Sequence, residues 1–223
     1  MKYSRIQVWT WAALSGFLLA GCATIPLSDT VTGPSYQPSN FSRVNAKLPG
    51  QLRRIALLPL TTRFADFDTE TGRDQLQPLL AAELAKTKAF ELVVVTPQQL
   101  RQWTGRPGWT PEEKLPEKFF DRLRESAGCD GVLFCQLTLY RPYKPIAIGW
   151  SMRLVEIQGL KSWWSVDEVF DAGSPAVVNA ARRYGQSHLE QAPPLADSYS
   201  ILSSPRRFGQ YSLAAVFATL PER

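Results

Sequence analysis

The chain of 223 residues carries 25 lysines and arginines against 20 acids, a formal charge of +5, one histidine and three cysteines. Its basic residues gather no more densely than in pairs such as Arg53-Arg54, Arg182-Arg183 and Arg206-Arg207, well short of the basic footprint of a nucleic-acid binder. No Cys-x-x-Cys pair, GxxxxGK[ST] loop or GxGxxG run is present, so neither a cysteine metal site nor a phosphate cradle is signalled.

Residues 1–5 (MKYSR) contain Lys2 and Arg5 and no acid, and residues 6–20 (IQVWTWAALSGFLLA) contain no charge. A basic start, a short apolar run and a small-residue end are the parts of a secretory signal, and the run falls short of the roughly 20 residues of a membrane span. Leu19-Ala20-Gly21-Cys22 resembles the lipobox of bacterial lipoproteins. That resemblance implies cleavage between Gly21 and Cys22, a diacylglycerol on the Cys22 thiol and an acylated new amino terminus. Several acyl chains, at about 0.8 kcal/mol per buried methylene, hold a protein stably in a bilayer. The signal would be residues 1–21, and Ala23 in place of an aspartate implies the outer membrane, with the body facing the periplasm. The covalent lipid is the only cofactor implied.

Residues 23–50 (ATIPLSDTVTGPSYQPSNFSRVNAKLPG) are rich in Ser, Thr, Pro, Gly and Asn and show neither helical nor strand period. With the lipidated Cys22 they are expected to form a flexible tether over 22–50. Residues 51–223 are long enough for a single domain with its own core. It opens on a buried strand, RRIALLPL, followed by a polar loop over 61–72. A helix then carries Leu76, Leu79, Leu80, Leu84 and Thr87 on one stripe, with Pro78 marking either its start or a bend. FELVVV (90–95) is a second buried strand, and Thr96-Pro97 caps a short helix through Trp103.

A Gly/Pro-rich loop over 104–116 includes Thr110-Pro111-Glu112-Glu113, which has the form of a capping box. Pro116 begins a helix that turns Phe119, Phe120, Leu123 and Ala127 inward and ends at Gly128. Three strands follow, over 131–141, 146–157 and 162–171, as an antiparallel meander. In the second, Ile146, Ile148, Trp150, Met152 and Leu154 share a face, and Gln158-Gly159 turns the chain. In the third, Trp164, Val166 and Phe170 face one side, Trp163 and Val169 the other. Ser174-Pro175 caps a helix bearing Val177, Ala181, Tyr184 and His188, residues 189–204 are irregular, and Pro205 starts a last helix. The fold class is α/β (α+β): a mixed sheet of about five strands, strand–helix–strand–helix and then the meander, with packed C-terminal helices. Cys135 lies in a strand and Cys129 before the turn that leads into it. Extended chain holds them too far apart for a disulfide, so both are expected to be buried apolar thiols.

RRIALLPL, the helix through LLAAELAKT, and FELVVVT resemble the opening of the TolB N-terminal-like domain. CDGVLFCQLTLY resembles its later strand, and MRLVEIQGLKSWWSVDEVFDAG its hairpin, with Gly159 and Trp164 in place. The resemblance covers residues 53–185. It implies a domain shared with envelope lipoproteins, including the curli secretion channel family and lipoprotein activators of penicillin-binding proteins. The meander loops, PYKP and QG, are short and leave no added hairpins for a membrane barrel.

Chemistry-bearing groups are sparse. His188, at the end of an apolar stripe, is expected to be structural. Asp167 and Glu168 are neighbours on a strand, so they face opposite sides and do not converge as an acid/base pair, whereas Asp167 and Asp171 share a parity. An edge-strand solubility role is expected for this acidic group. Trp103 and Trp109 flank the Gly/Pro loop, and Trp163 points away from Trp164. These three are the candidate partner-binding residues, because exposed aromatics suit interfaces. The expectation is a non-enzymatic, membrane-tethered protein that binds or scaffolds another envelope protein and has no metal or nucleic-acid ligand. A second copy of the chain is a further candidate partner. The alternatives are an oligomeric secretion or channel component and, behind it, an envelope hydrolase using Asp167 or Asp171.

Overall fold

The computed structural model describes residues 31–188 and 198–223. Gly21, Cys22, the signal segment and the first residues of the expected tether lie outside them, as does most of the 189–204 segment. Seven strands form one mixed sheet: β1 (Phe41–Arg43), β2 (Arg54–Leu57), β3 (Thr61–Thr62), β4 (Glu91–Val94), β5 (Gly131–Arg141), β6 (Ala147–Glu156) and β7 (Ser162–Asp171). The order is β1-β7-β6-β5-β2-β4, with β3 also on β5. β2 runs parallel to both β4 and β5, and β5, β6 and β7 form the expected antiparallel meander. The two strands beyond the expected five are the three-residue β1 and the two-residue β3.

The helices α1 (Phe67–Lys86), α4 (Pro175–His188) and α5 (Pro205–Phe217) cover one sheet face, while α2 (Pro97–Thr104) and α3 (Phe119–Ala127) cover part of the other. Side-chain alternation divides the core accordingly. Ile55 and Leu57 of β2 and Leu133 and Cys135 of β5 enter the first core, and Ala56, Leu58, Val132 and Phe134 enter the second. Both faces are buried there, so β2 reads as an unbroken apolar run. β6 alternates because its Trp150, Met152 and Leu154 are buried while Ser151 and Arg153 lie on the half-open face. The indoles of Trp150 and Trp164 donate to Ser212 and Thr219 near the end of the chain, each at 2.9 Å, so both large rings are buried without an orphaned N–H. Cys129 and Cys135 are buried free thiols. Burial raises the Cys129 thiol to about 11.

The loop expected over 61–72 is half helix. Asp66 caps α1 by accepting from the Thr69 N–H at 2.9 Å, and Pro78 sits inside the helix. The first turns bury Thr69 and Gly72 and expose Phe67, so they carry no apolar stripe. The Thr110–Glu113 motif closes a turn and starts no helix: the Glu113 carboxylate accepts from the Thr110 N–H at 2.9 Å. In the β6–β7 turn the left-handed residue is Leu160, with φ 49°.

The largest correction concerns the tether. Residues 31–50 are docked, and the compact unit begins at Val31. Pro34 accepts from Asn179 and Val31 and Gly33 from Arg183 on α4. Tyr36 packs edge-on against Phe170 at 5.5 Å, β1 pairs antiparallel with β7, and Leu48 is buried, with its N–H donating to Glu222. As a result β7 is not an edge strand. The acidic group has other tasks than solubility: Glu168 is buried against this arm, and Asp171 bonds Arg141 at 2.8 Å.

Candidate functional site

The candidate tryptophans are packing residues rather than an exposed cluster. Trp109 is 6% exposed; its indole donates to the Thr104 hydroxyl at 2.7 Å and its ring meets Phe119 edge-on. Trp163 is 8% exposed and donates to Glu156 at 3.1 Å. Thr104 and Glu156 satisfy the indole N–H groups, which allows both rings to be buried. Trp103 is half-buried against the second core, whereas Trp163 belongs to the first, so the three do not come together. His188 stacks on Tyr184 at 4.4 Å at the end of α4. Asp167 is exposed, and Asp171 is engaged by Arg141 and by the Gly173 N–H at 2.7 Å. No group of three or more metal-ligating side chains occurs among the described residues.

Strand order builds a different site. From the carboxyl end of β2 the chain crosses to α1 on one face, and from the carboxyl end of the adjacent β4 it crosses to α2 on the other. Connections that diverge from neighbouring parallel strands leave a crevice outside their carboxyl ends, where α/β sheets commonly bind ligands. Here the crevice has a volume of about 750 Å³. One wall is β3 and the start of α1; the other is the loop that follows α2. Gly108 permits the approach of that loop, since a Cβ there would lie 2.9 Å from the Thr61 methyl. Thr61 is fixed in turn by donating to the Cys135 carbonyl at 3.1 Å.

Three guanidinium groups, of Arg63, Arg73 and Arg106, line the crevice, with the carboxylates of Asp74 and Glu113. Arg106 stands 4.3 Å over the Trp109 ring and bonds Glu113 at 2.9 Å. Burial opposes ionisation of Glu113, but the Thr110 N–H and Arg106 outweigh it and hold the carboxyl below its ordinary value. Arg73 bonds Asp74 through Nε at 2.9 Å. Arg63 enters no ion pair among the described residues and lies over Phe64 at 5.8 Å. Phe64, the neighbour of Arg63, and Phe67 are 59% and 84% exposed. Phe67 precedes Asp74 by two helical turns and so shares its face of α1. Sequence reading misses both phenylalanines because they fall in the segment taken as a polar loop. The available signal was an aromatic pair around the N-cap Asp66.

No protein-family model matches the chain, and no curated protein matches it significantly. Among solved structures, the fold is similar to the lipoprotein GNA1162 from Neisseria meningitidis, at 18% identity over 55% of this chain and 85% of that one, TM-score 0.42. It is also similar to the PelC dodecamer from Paraburkholderia phytofirmans, at 12% identity over 82% and 98%, TM-score 0.44. A third similarity is to TolB from Acinetobacter baumannii, at 12% identity over 73% of this chain and 30% of that one, TM-score 0.30. The structural neighbours thus include a bacterial lipoprotein and TolB, and their resemblance is one of chain arrangement.

Proposed function

We propose that the chain is a lipoprotein anchored through Cys22 in the outer membrane, whose α/β domain binds another envelope protein in the periplasm without catalysing a reaction. The observation that carries this reading is the juxtaposition of the Leu19-Ala20-Gly21-Cys22 signal with an arm docked from Val31 onward. Only eight residues, 23–30, or nine Cα–Cα steps, separate Cys22 from Val31. At about 3.4 Å per residue they reach at most about 30 Å, a third of what slack to residue 50 would allow. Such confinement raises the effective concentration of the domain near a membrane-bound partner. The non-catalytic reading rests on how the polar side chains are used: Glu168, Asp171 and His188 are all engaged in structural contacts.

The test is to express the full chain and Cys22→Ser in a bacterial envelope, follow incorporation of labelled fatty acid and membrane fractionation, and cross-link in cells. Wild type is expected to take up label, sediment with outer membrane and capture an envelope protein. Cys22→Ser is expected to lose label and fractionate with soluble periplasm. Equal sedimentation of both chains, or a cross-linked product containing only copies of this chain, would remove the reading; the second result would favour an oligomeric component.

A further inference from the structure

We infer that the crevice at the carboxyl ends of β2 and β4 is the docking site for an extended acidic segment of a protein partner, its carboxylates held by Arg63, Arg73 and Arg106 and its apolar side chains by Phe64 and Phe67. The inference rests on the partner-binding reading and specifies the chemistry of that partner.

Charge complementarity carries the argument. Three guanidinium groups share the lining with two carboxylates, and the carboxylates orient Arg73 and Arg106 without exhausting them, while Arg63 enters no ion pair among the described residues. Arginine has five N–H donors. Asp74 takes one from Arg73 and Glu113 one from Arg106, and the second oxygen of Glu113 is occupied by the Thr110 N–H. Partly exposed pairs of this kind contribute little energy, but they fix geometry. Trp109 beneath Arg106 further restricts that side chain. What is left is a set of preoriented, unfilled N–H donors suited to two-point contact with an incoming carboxylate.

The exposed rings select a protein segment over a small free anion. Phe64 and Phe67 lie outside the crevice proper, where an isolated carboxylate would leave them in water. Exposed aromatic and arginine side chains together have the composition of an interface centre. β4 ends at the same crevice, and it is an outer strand of the sheet with Val94 half exposed, so an extended segment also meets free main-chain groups there.

The experiment measures fluorescence anisotropy of the full chain in detergent with a labelled peptide of alternating glutamate and phenylalanine. Matched peptides carry glutamine or lysine at every glutamate position. The glutamate peptide is expected to bind, more weakly as salt rises. Arg63→Gln combined with Arg106→Gln should weaken it about tenfold or more, and Phe67→Ser should weaken it several-fold. Arg124→Gln, on α3 at the other end of the sheet, should leave it unchanged. All four positions have exposed side chains, and an unchanged melting temperature verifies that each variant is folded. Equal binding of the glutamine or lysine peptide, undiminished binding by the double variant, or no binding of any peptide overturns the inference. Cross-linking in cells separates the two claims. A partner captured equally by wild type and the double variant sinks the crevice and spares the envelope-binding reading, while peptide binding without any captured envelope protein does the reverse.

Discussion

Glu168 takes three hydrogen bonds from the arm: the Tyr36 hydroxyl at 2.6 Å and the Ser39 and Asn40 N–H groups at 2.8 and 3.0 Å. Burial alone would raise its pKa. The Tyr36 and backbone donors outweigh burial and hold the carboxyl below its ordinary value, while burial and the Glu168 charge push the Tyr36 phenol up. Because the folded carboxyl titrates below the unfolded one, its stabilisation is complete above the ordinary carboxylate range and is lost as pH falls through the folded value. Glu168→Gln is expected to cost about 1–3 kcal/mol at neutral pH, and Tyr36→Phe about 1 kcal/mol. Thermal melts should show both deficits, with that of Glu168→Gln shrinking in acid. A pH-independent deficit would mean that the bonds hold no ionised carboxylate. Sequence alone placed Glu168 correctly on the face opposite Asp167, but it did not show what faced it. The residues that meet it lie more than 125 positions earlier, in a stretch without period.

At the scale of elements, local pattern was informative wherever burial was one-sided or complete. β5 occupies the expected 131–141 and β7 the expected 162–171, because the apolar run of β5 records two covered faces and the alternation of β7 a covered face and a partly open one. β1 left no such record. Its residues Phe41-Ser42-Arg43 are half-buried, exposed and exposed, and they become a strand only by pairing with Trp164–Val166. Backbone hydrogen bonding therefore makes β1 a strand, while Tyr36 and the buried Leu48 fasten the arm to the core on either side of it. Val44→Pro removes the N–H that donates to the Trp163 carbonyl at 3.1 Å and should free the arm. Trypsin is expected to spare the Lys47–Leu48 bond in the native wild type, where Leu48 is buried, and to cut it rapidly in Val44→Pro. Equal resistance in the two chains would show that the remaining contacts suffice.

For the whole molecule, docking of the arm would set how far the domain stands from the proposed anchor at Cys22. If Cys22 is lipidated and the partner is membrane-bound, a flexible Gly/Ser insert of about 20 residues between Ala23 and Val31 lengthens the connection about threefold. Effective concentration falls roughly as the −3/2 power of linker length, about fivefold here. Cross-link yield at limiting expression is expected to fall by that order, with the melting temperature unchanged. An unaltered yield would mean that encounter does not depend on confinement. The candidate site belongs to this scale as well, because no local motif spells it. Arg63, Arg73 and Arg106 are separated by 10 and 33 positions and meet only because β2 and β4 are neighbours whose connections leave on opposite faces.

The sequence by itself determined what depends on short-range order. The spacing of apolar residues defines the meander and most helices, while charge, apolar length and the four residues to Cys22 supply the proposed export signal and anchor. The tertiary structure decided what depends on distant chain coming together: that residues 31–50 belong to the body, that Trp109 and Trp163 are buried, that β7 is covered, and where three arginines share a crevice. The physical reason is that a residue's period reports only whether one of its faces is buried. The group that buries it, or leaves it open to a partner, is chosen by strand order.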